Sequence, residues 1–227
     1  MKPKPVVETE EKTRHYLKLV GALLFLIGAG WFLFRSLRGE VREPNLKPFA
    51  SLGSYAALET AKLLGRAAKI LVIYDSNPVG MAGAGKPLGR QAIEVESFKA
   101  KLGSSGRFSF APDWKLPRPA MAVSTVWPKG EFERLLSQQS AETALVIFCD
   151  PPALNMTDKA RLKARSGRLI LVGALMPTAQ GLVREGVVHL AVATRVPPRP
   201  SEKASESPDE WVARVFARLT PETSRAP

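Results

Sequence analysis

From about residue 48 onward, two kinds of apolar pattern alternate along the chain. Short, continuously apolar and β-branched runs occur at Lys69–Asp75 (KILVIYD), Thr143–Asp150 (TALVIFCD), Arg168–Ala174 (RLILVGA) and Val187–Arg195 (VVHLAVATR), with a briefer one at Arg107–Phe110. Such runs predict strands buried on both faces. Between them, apolar residues recur every three or four positions, the helical period. Ser54–Leu64 places Ala57, Ala61 and Leu64 near one face, with Ala68 in the same register, and Gly65 can supply a left-handed stop. Leu88–Leu102 aligns Leu88, Ala92, Val95 and Leu102. Phe132, Leu135 and Leu136 form the stripe of a third helix. Thr157 can cap a basic helix that stops at Gly167, and a short helix runs from near Thr178 to Gly186. Ser207-Pro208-Asp209-Glu210 combines an N-cap, a first-turn proline and a reciprocal glutamate. The helix it opens is expected to bury Trp211, Val212, Val215, Phe216 and Leu219. The proline-rich stretch from 111 through Pro128 reads as a loop. Apolar strands separated by helices imply an α/β domain with a doubly wound, mostly parallel sheet covered on both faces.

The N-terminal region breaks this pattern. Leu19–Phe34 (LVGALLFLIGAGWFLF) is uncharged and shows no polar face. With Tyr16 and Leu17 and a snorkelling Lys18 it reaches about nineteen residues, close to the roughly twenty that cross a bilayer core. Trp31, Arg35 and Arg38, together with Lys18, suit the membrane interface. Gly28-Ala29-Gly30 also resembles a signal-peptide cleavage site, but Trp31-Phe32-Leu33-Phe34 continues the apolar stretch past it. The expectation is one transmembrane helix at 16–35, a basic tail at 1–15, a juxtamembrane linker at 36–50, an α/β domain at 51–220 and a tail at 221–227. Five cations (Lys2, Lys4, Lys12, Arg14, Lys18) precede the span and four (Arg35, Arg38, Arg42, Lys47) follow it, so charge does not fix its orientation.

Charge narrows the partners. The 227-residue chain carries net +12. Nine of its cations and five of its acids precede Pro48, leaving 24 against 16 in the domain. Membrane lipid and acidic protein faces fit that balance. A nucleic-acid partner is not expected, because the basic run Lys159, Arg161, Lys163, Arg165 and Arg168 has no interleaved aromatics. The single cysteine, Cys149, permits no internal disulfide.

Candidate chemistry is sparse. Gly80-Met-Ala-Gly83-Ala-Gly85-Lys86 has the glycine and lysine spacing of a phosphate loop after a strand, but Pro87 stands where the magnesium-binding hydroxyl should be. A weak anion site at Gly83, Gly85 and Lys86 is what survives. Asp75 and Asp150 end strands, the edge where open α/β sheets hold ligands, although either can also cap the turn that follows. Cys149 and His189 are the only nucleophile–base combination in the domain, and each lies in or at the end of an apolar strand. One cysteine and two distant histidines offer no metal-ligand cluster, no cofactor is implied, and no catalytic set is visible.

From about Leu52 to Leu219 the chain resembles the C-terminal lobe of type I periplasmic sugar-binding proteins and sugar-responsive repressors. The likeness is carried by LGSYAALETAKLLGRAAKILVIYD, by TALVIFCDPPALNMTDKARLKARSGRLILVGAL and by GLVREGVVHLAVATR. It implies a single lobe of that fold. It also marks departures: Glu94-Val-Glu-Ser97-Phe98 lacks the arginine that the family places on sugar, and Gly173-Ala174-Leu175 lacks a carboxylate. Only Asp150 keeps its place. The expectation is therefore a non-enzymatic, single-pass membrane module of the bacterial inner membrane, its domain periplasmic, acting as an accessory subunit beside other membrane-complex subunits. Sugar binding is expected to be lost, and the single lobe to leave no room for its N-terminal counterpart. The alternative is a membrane-tethered receptor for a small ligand at Asp75 and Asp150.

Overall fold

The computed structural model describes residues 20–32, 45–65, 67–76, 89–117, 127–201 and 205–224. The chain divides into two compact units, residues 1–44 and 45–227.

In the first unit, residues 20–32 form helix α1. Thirteen residues rise only about 20 Å. Among the described residues no helix is long and apolar enough to cross a membrane. Of the residues expected to span at 16–35, a helix is described at 20–32, too short to cross, and the others lie outside the described residues. Leu23, Leu24, Phe25, Ile27, Trp31 and Phe32 are all exposed.

The second unit holds a seven-stranded sheet with the order β2-β1-β4-β5-β6-β7, β3 pairing β1 beyond β2. The strands are β1 (Ala68–Ser76), β2 (Phe108–Phe110), β3 (Trp114–Pro117), β4 (Ala144–Ile147), β5 (Leu169–Leu175), β6 (Leu190–Thr194) and β7 (Phe216–Leu219). All pairs are parallel except β6 with β7. The period-two alternation of the strands divides the core in two. Leu71, Ile73, Leu145, Ile147 and Leu171 face α4 (Glu131–Gln138), α5 (Met156–Ala164) and α6 (Met176–Arg184). Ile70, Val72, Val146, Ile170 and Val172 face α2 (Lys47–Leu64), α3 (Arg90–Gly103) and α7 (Pro208–Val215). The mixed, mostly parallel α/β architecture expected from the sequence is the one observed.

Several elements differ from the pattern-based reading. Helix α2 begins at Lys47, seven residues before Ser54, because Pro48 is tolerated in a first helical turn. The proline-rich stretch contains β3, where parallel pairing with β1 and the buried Leu116 outweigh the neighbouring prolines. Helix α5 is capped by Asn155, which accepts from the Asp158 N–H at 2.8 Å while the Asp158 carboxylate accepts from the Asn155 N–H at 3.2 Å. Thr157 takes no part in that box. Asn155→Ala is expected to lower stability by about 1 kcal/mol, read as a shifted urea midpoint with an unchanged slope. Residues 216–219, expected to continue the last helix, form β7 instead. Without β7, β6 would be an open edge of hydrogen-bonding groups, and covering it outweighs helix propensity there.

Candidate functional site

The carboxyl-terminal edge of the sheet is organised by a side chain in the first turn of α3. Gln91 Oε1 accepts from the Asp75 N–H at 3.1 Å, and its Nε2 donates to the Phe148 carbonyl. One amide thus ties the ends of the adjacent strands β1 and β4 together. Its spacing is that of an ordinary polar residue, so periodicity gives no sign of the role. The pairing of Ile73 with Ile147 sets Asp75 opposite Cys149.

Asp75 thus lies at the end of β1, while Asp150 lies three residues beyond β4, and the two enter different surroundings. Asp75 is 5% exposed, its backbone held by Gln91. Asp150 is exposed, and its carbonyl accepts from Trp127 Nε1 at 2.8 Å. Trp127 stands edge-on to Phe132, 5.5 Å between centroids, which fixes the β4–α5 loop against α4. Beside them Tyr74 donates to Asp113 at 3.3 Å, and Lys99 holds the same carboxylate at 2.5 and 2.6 Å. That bridge fastens α3 to the β2–β3 connection.

The segment matched to the family's sugar-binding arginine lies inside α3, where Val95 and Phe98 are core residues. Glu94 itself is partly buried. Burial pushes its pKa up to about 7, opposed by Arg90 one turn earlier. At the end of β5, Gly173 has φ +82° and accepts Thr194 Oγ1 at 3.0 Å, while Leu175 is left exposed.

Cys149 and His189 are not brought together. Cys149 is buried at the carboxyl-terminal edge, whereas His189 precedes β6 at the amino-terminal edge. The strand register separates them by about four residues of rise, roughly 13 Å. His189 Nδ1 accepts from the Leu169 N–H at 3.2 Å. Burial, with Arg168 beside it, holds its pKa below the usual histidine value. That depression favours the neutral acceptor. Gly83, Gly85 and Lys86 of the glycine loop lie outside the described residues, as do Lys18, Arg35 and Arg38; Trp31 is on exposed α1. Among the described residues no group of three metal-ligating side chains occurs.

No family model matches the chain, and no curated protein matches it. Solved structures do. A sugar-binding protein of a sugar ABC transporter from Bacillus halodurans aligns over 78% of this chain and 63% of its own, at 15% identity and TM-score 0.51. An arabinose binding protein from Geobacillus stearothermophilus aligns over 78% and 62%, at 16% identity and TM-score 0.48. An ABC transporter solute binding protein from Agrobacterium vitis, bound with alpha-D-tagatopyranose, aligns over 78% and 58%, at 10% identity and TM-score 0.46. The chain thus spans less than two thirds of these proteins' length. At such identity the likeness to the first is one of fold: the chain is similar in architecture to type I periplasmic sugar-binding proteins.

Proposed function

We propose that this chain is a membrane-anchored, non-enzymatic binding module whose sugar-binding-protein-like domain docks to other subunits of an envelope complex. The observation that supports the reading best is α1. It exposes Leu23, Leu24, Phe25, Ile27, Trp31 and Phe32 on every side, far more apolar surface than a water-facing helix normally leaves uncovered. By sequence the apolar run extends to Leu19 and through Leu33 and Phe34. Hydrocarbon is the environment that satisfies such a helix, at about 1.5–3 kcal/mol for each large side chain buried. The fold favours binding over catalysis. The departures at Glu94–Phe98 and Gly173–Leu175, with Asp75 turned inward, favour a protein surface over a sugar as the thing bound. The likeness of the domain to exported sugar-binding proteins supports the periplasm as its side of the membrane.

Membrane fractionation tests this. The full chain is expected to stay in the pellet through an alkaline carbonate wash and to leave it only in detergent. L24K with I27K should release it, since each charge at a span centre costs about 3 kcal/mol. In mild detergent the native protein is expected to migrate with partners. A wild-type chain washed out by carbonate, or one that always runs alone, overturns the proposal.

A further inference from the structure

A pocket of about 650 Å³ opens at the amino-terminal edge of the sheet, the end opposite Asp75 and Asp150. Its size falls within the range of small-ligand sites. Lys69 lies at the start of β1 and Arg168 immediately before β5, and both line the pocket. Those two strands flank β4, so the backbones of Lys69 and Arg168 are about two strand spacings, roughly 10 Å, apart. By the alternation of the strands Lys69 leaves on the face of Leu71 and Arg168 on the face of Ile170, so the two cations flank this edge from opposite faces of the sheet. The wall between them is held in place: the Gly167 N–H donates to the Ala141 carbonyl at 2.7 Å, and Arg165 donates to the Ser140 carbonyl at 2.6 Å. Gly167 is required there, because a Cβ would fall 2.3 Å from the Thr143 carbonyl oxygen. Leu63 and Leu64, from the end of α2, give the pocket one apolar side.

The topology gathers further charge at this edge. Helices that return between parallel strands end here, and α5 carries Arg161 and Lys163 in its last turn. Arg107 precedes β2. These three, with Lys69 and Arg168, are all exposed, and among the described residues none is paired with a carboxylate. Glu142 lines the pocket as an opposing exposed acid. Glu59 is already held by Lys62 and Arg218, and Glu185 by Lys159.

We infer that this edge is a docking face for anionic lipid, its exposed cations meeting headgroup phosphates; the inference rests on the membrane anchor proposed above. Lipid suits the face better than nucleic acid, because no aromatic side chain lines the pocket to stack a base. Cations near an anionic bilayer surface act additively, each contributing several-fold in affinity.

The test uses the full chain in nanodiscs of phosphatidylcholine alone or with a third phosphatidylglycerol. Acetylation of individual lysines is read by mass spectrometry. Lys69 is expected to be protected about tenfold in the anionic discs, with Lys129, exposed near the opposite edge, unchanged. R168E and R161E should each reduce that protection several-fold. Equal labelling of Lys69 in both discs overturns the lipid face while leaving the anchor standing. Failure to enter discs overturns the anchor instead. Protection in neutral discs by millimolar inorganic phosphate or by a short DNA duplex, without a response to phosphatidylglycerol, also overturns it and assigns the pocket to that anion.

Discussion

Gly53→Ala is expected to destabilise the domain by about 3 kcal/mol or more, the upper end of what overpacking costs. Gly53 lies in α2 where that helix crosses α3, and a Cβ built on it falls 2.1 Å from the Glu94 carbonyl oxygen and 3.0 Å from the Phe98 nitrogen. Both are backbone atoms, so no side chain can rotate away to make room. The helices would have to separate by about an ångström, opening gaps around the fully buried Phe98 and Leu52. The strain would also reach the sheet edge, because α3 carries Gln91 and its clamp between β1 and β4. A second glycine separates close approach from helix propensity. Gly181, inside α6, has nothing within 4 Å of its would-be Cβ. Gly181→Ala should therefore stabilise the domain by about 0.5–1 kcal/mol. Urea unfolding of both variants measures the contrast. A Gly53→Ala midpoint equal to wild type would mean that α2 and α3 do not approach as closely as the geometry requires.

That contact also shows how much of the fold was legible in the residues. The strands at Lys69–Asp75, Thr143–Asp150 and Arg168–Ala174 were legible because burial on both faces leaves no room for polar residues. Ser207 and Glu210 form the expected reciprocal cap, at 3.3 and 2.8 Å, because that motif is local. Gly53, by contrast, reads as one more small residue until α3 is laid across it. The stretch after Val215 was expected to continue the helix. Phe216 and Leu219 fit a helical stripe, and pairing with the distant Ala191–Thr194 decided for a strand. Thr157 was the expected cap of α5, and the reciprocal bonds with Asp158 give that place to Asn155 instead. The candidate site was less legible than the fold. Asp75 lies at the end of β1, whereas Asp150 lies three residues beyond β4, and the two differ in burial, which strand patterning does not record. Gln91 and the pocket between Lys69 and Arg168 bring together residues far apart in sequence, and no spacing rule records that.

Glu94→Gln is expected to make the domain more stable above neutral pH, by about 2 kcal/mol at pH 8, and to change little at pH 4. The cause is the carboxyl group's surroundings. Burial raises its pKa from 4.5 to about 7, and Arg90 offsets only part of the effect. A carboxyl whose folded pKa lies above its unfolded value binds its proton more tightly in the folded state. As pH rises from about 4.5, the unfolded chain ionises first, and stability falls until the folded group ionises near 7. Above that the penalty is constant. A full shift would be worth about 1.4 kcal/mol per pH unit, and the partial access of solvent to this side chain lowers the total to the figure above. Glutamine keeps the shape and cannot ionise, so the penalty disappears without a cavity. Subtracting the variant's stability from that of wild type at each pH removes the contribution of all other groups. The difference should be near zero at pH 4, grow between about pH 4.5 and 7, and then level. A flat difference across that window would place Glu94 in solvent. A difference of opposite sign would mean that its carboxylate is paired with Arg90 closely enough to outweigh burial, and α3 would then gain stability from the charge that its position beside Gly53 otherwise opposes.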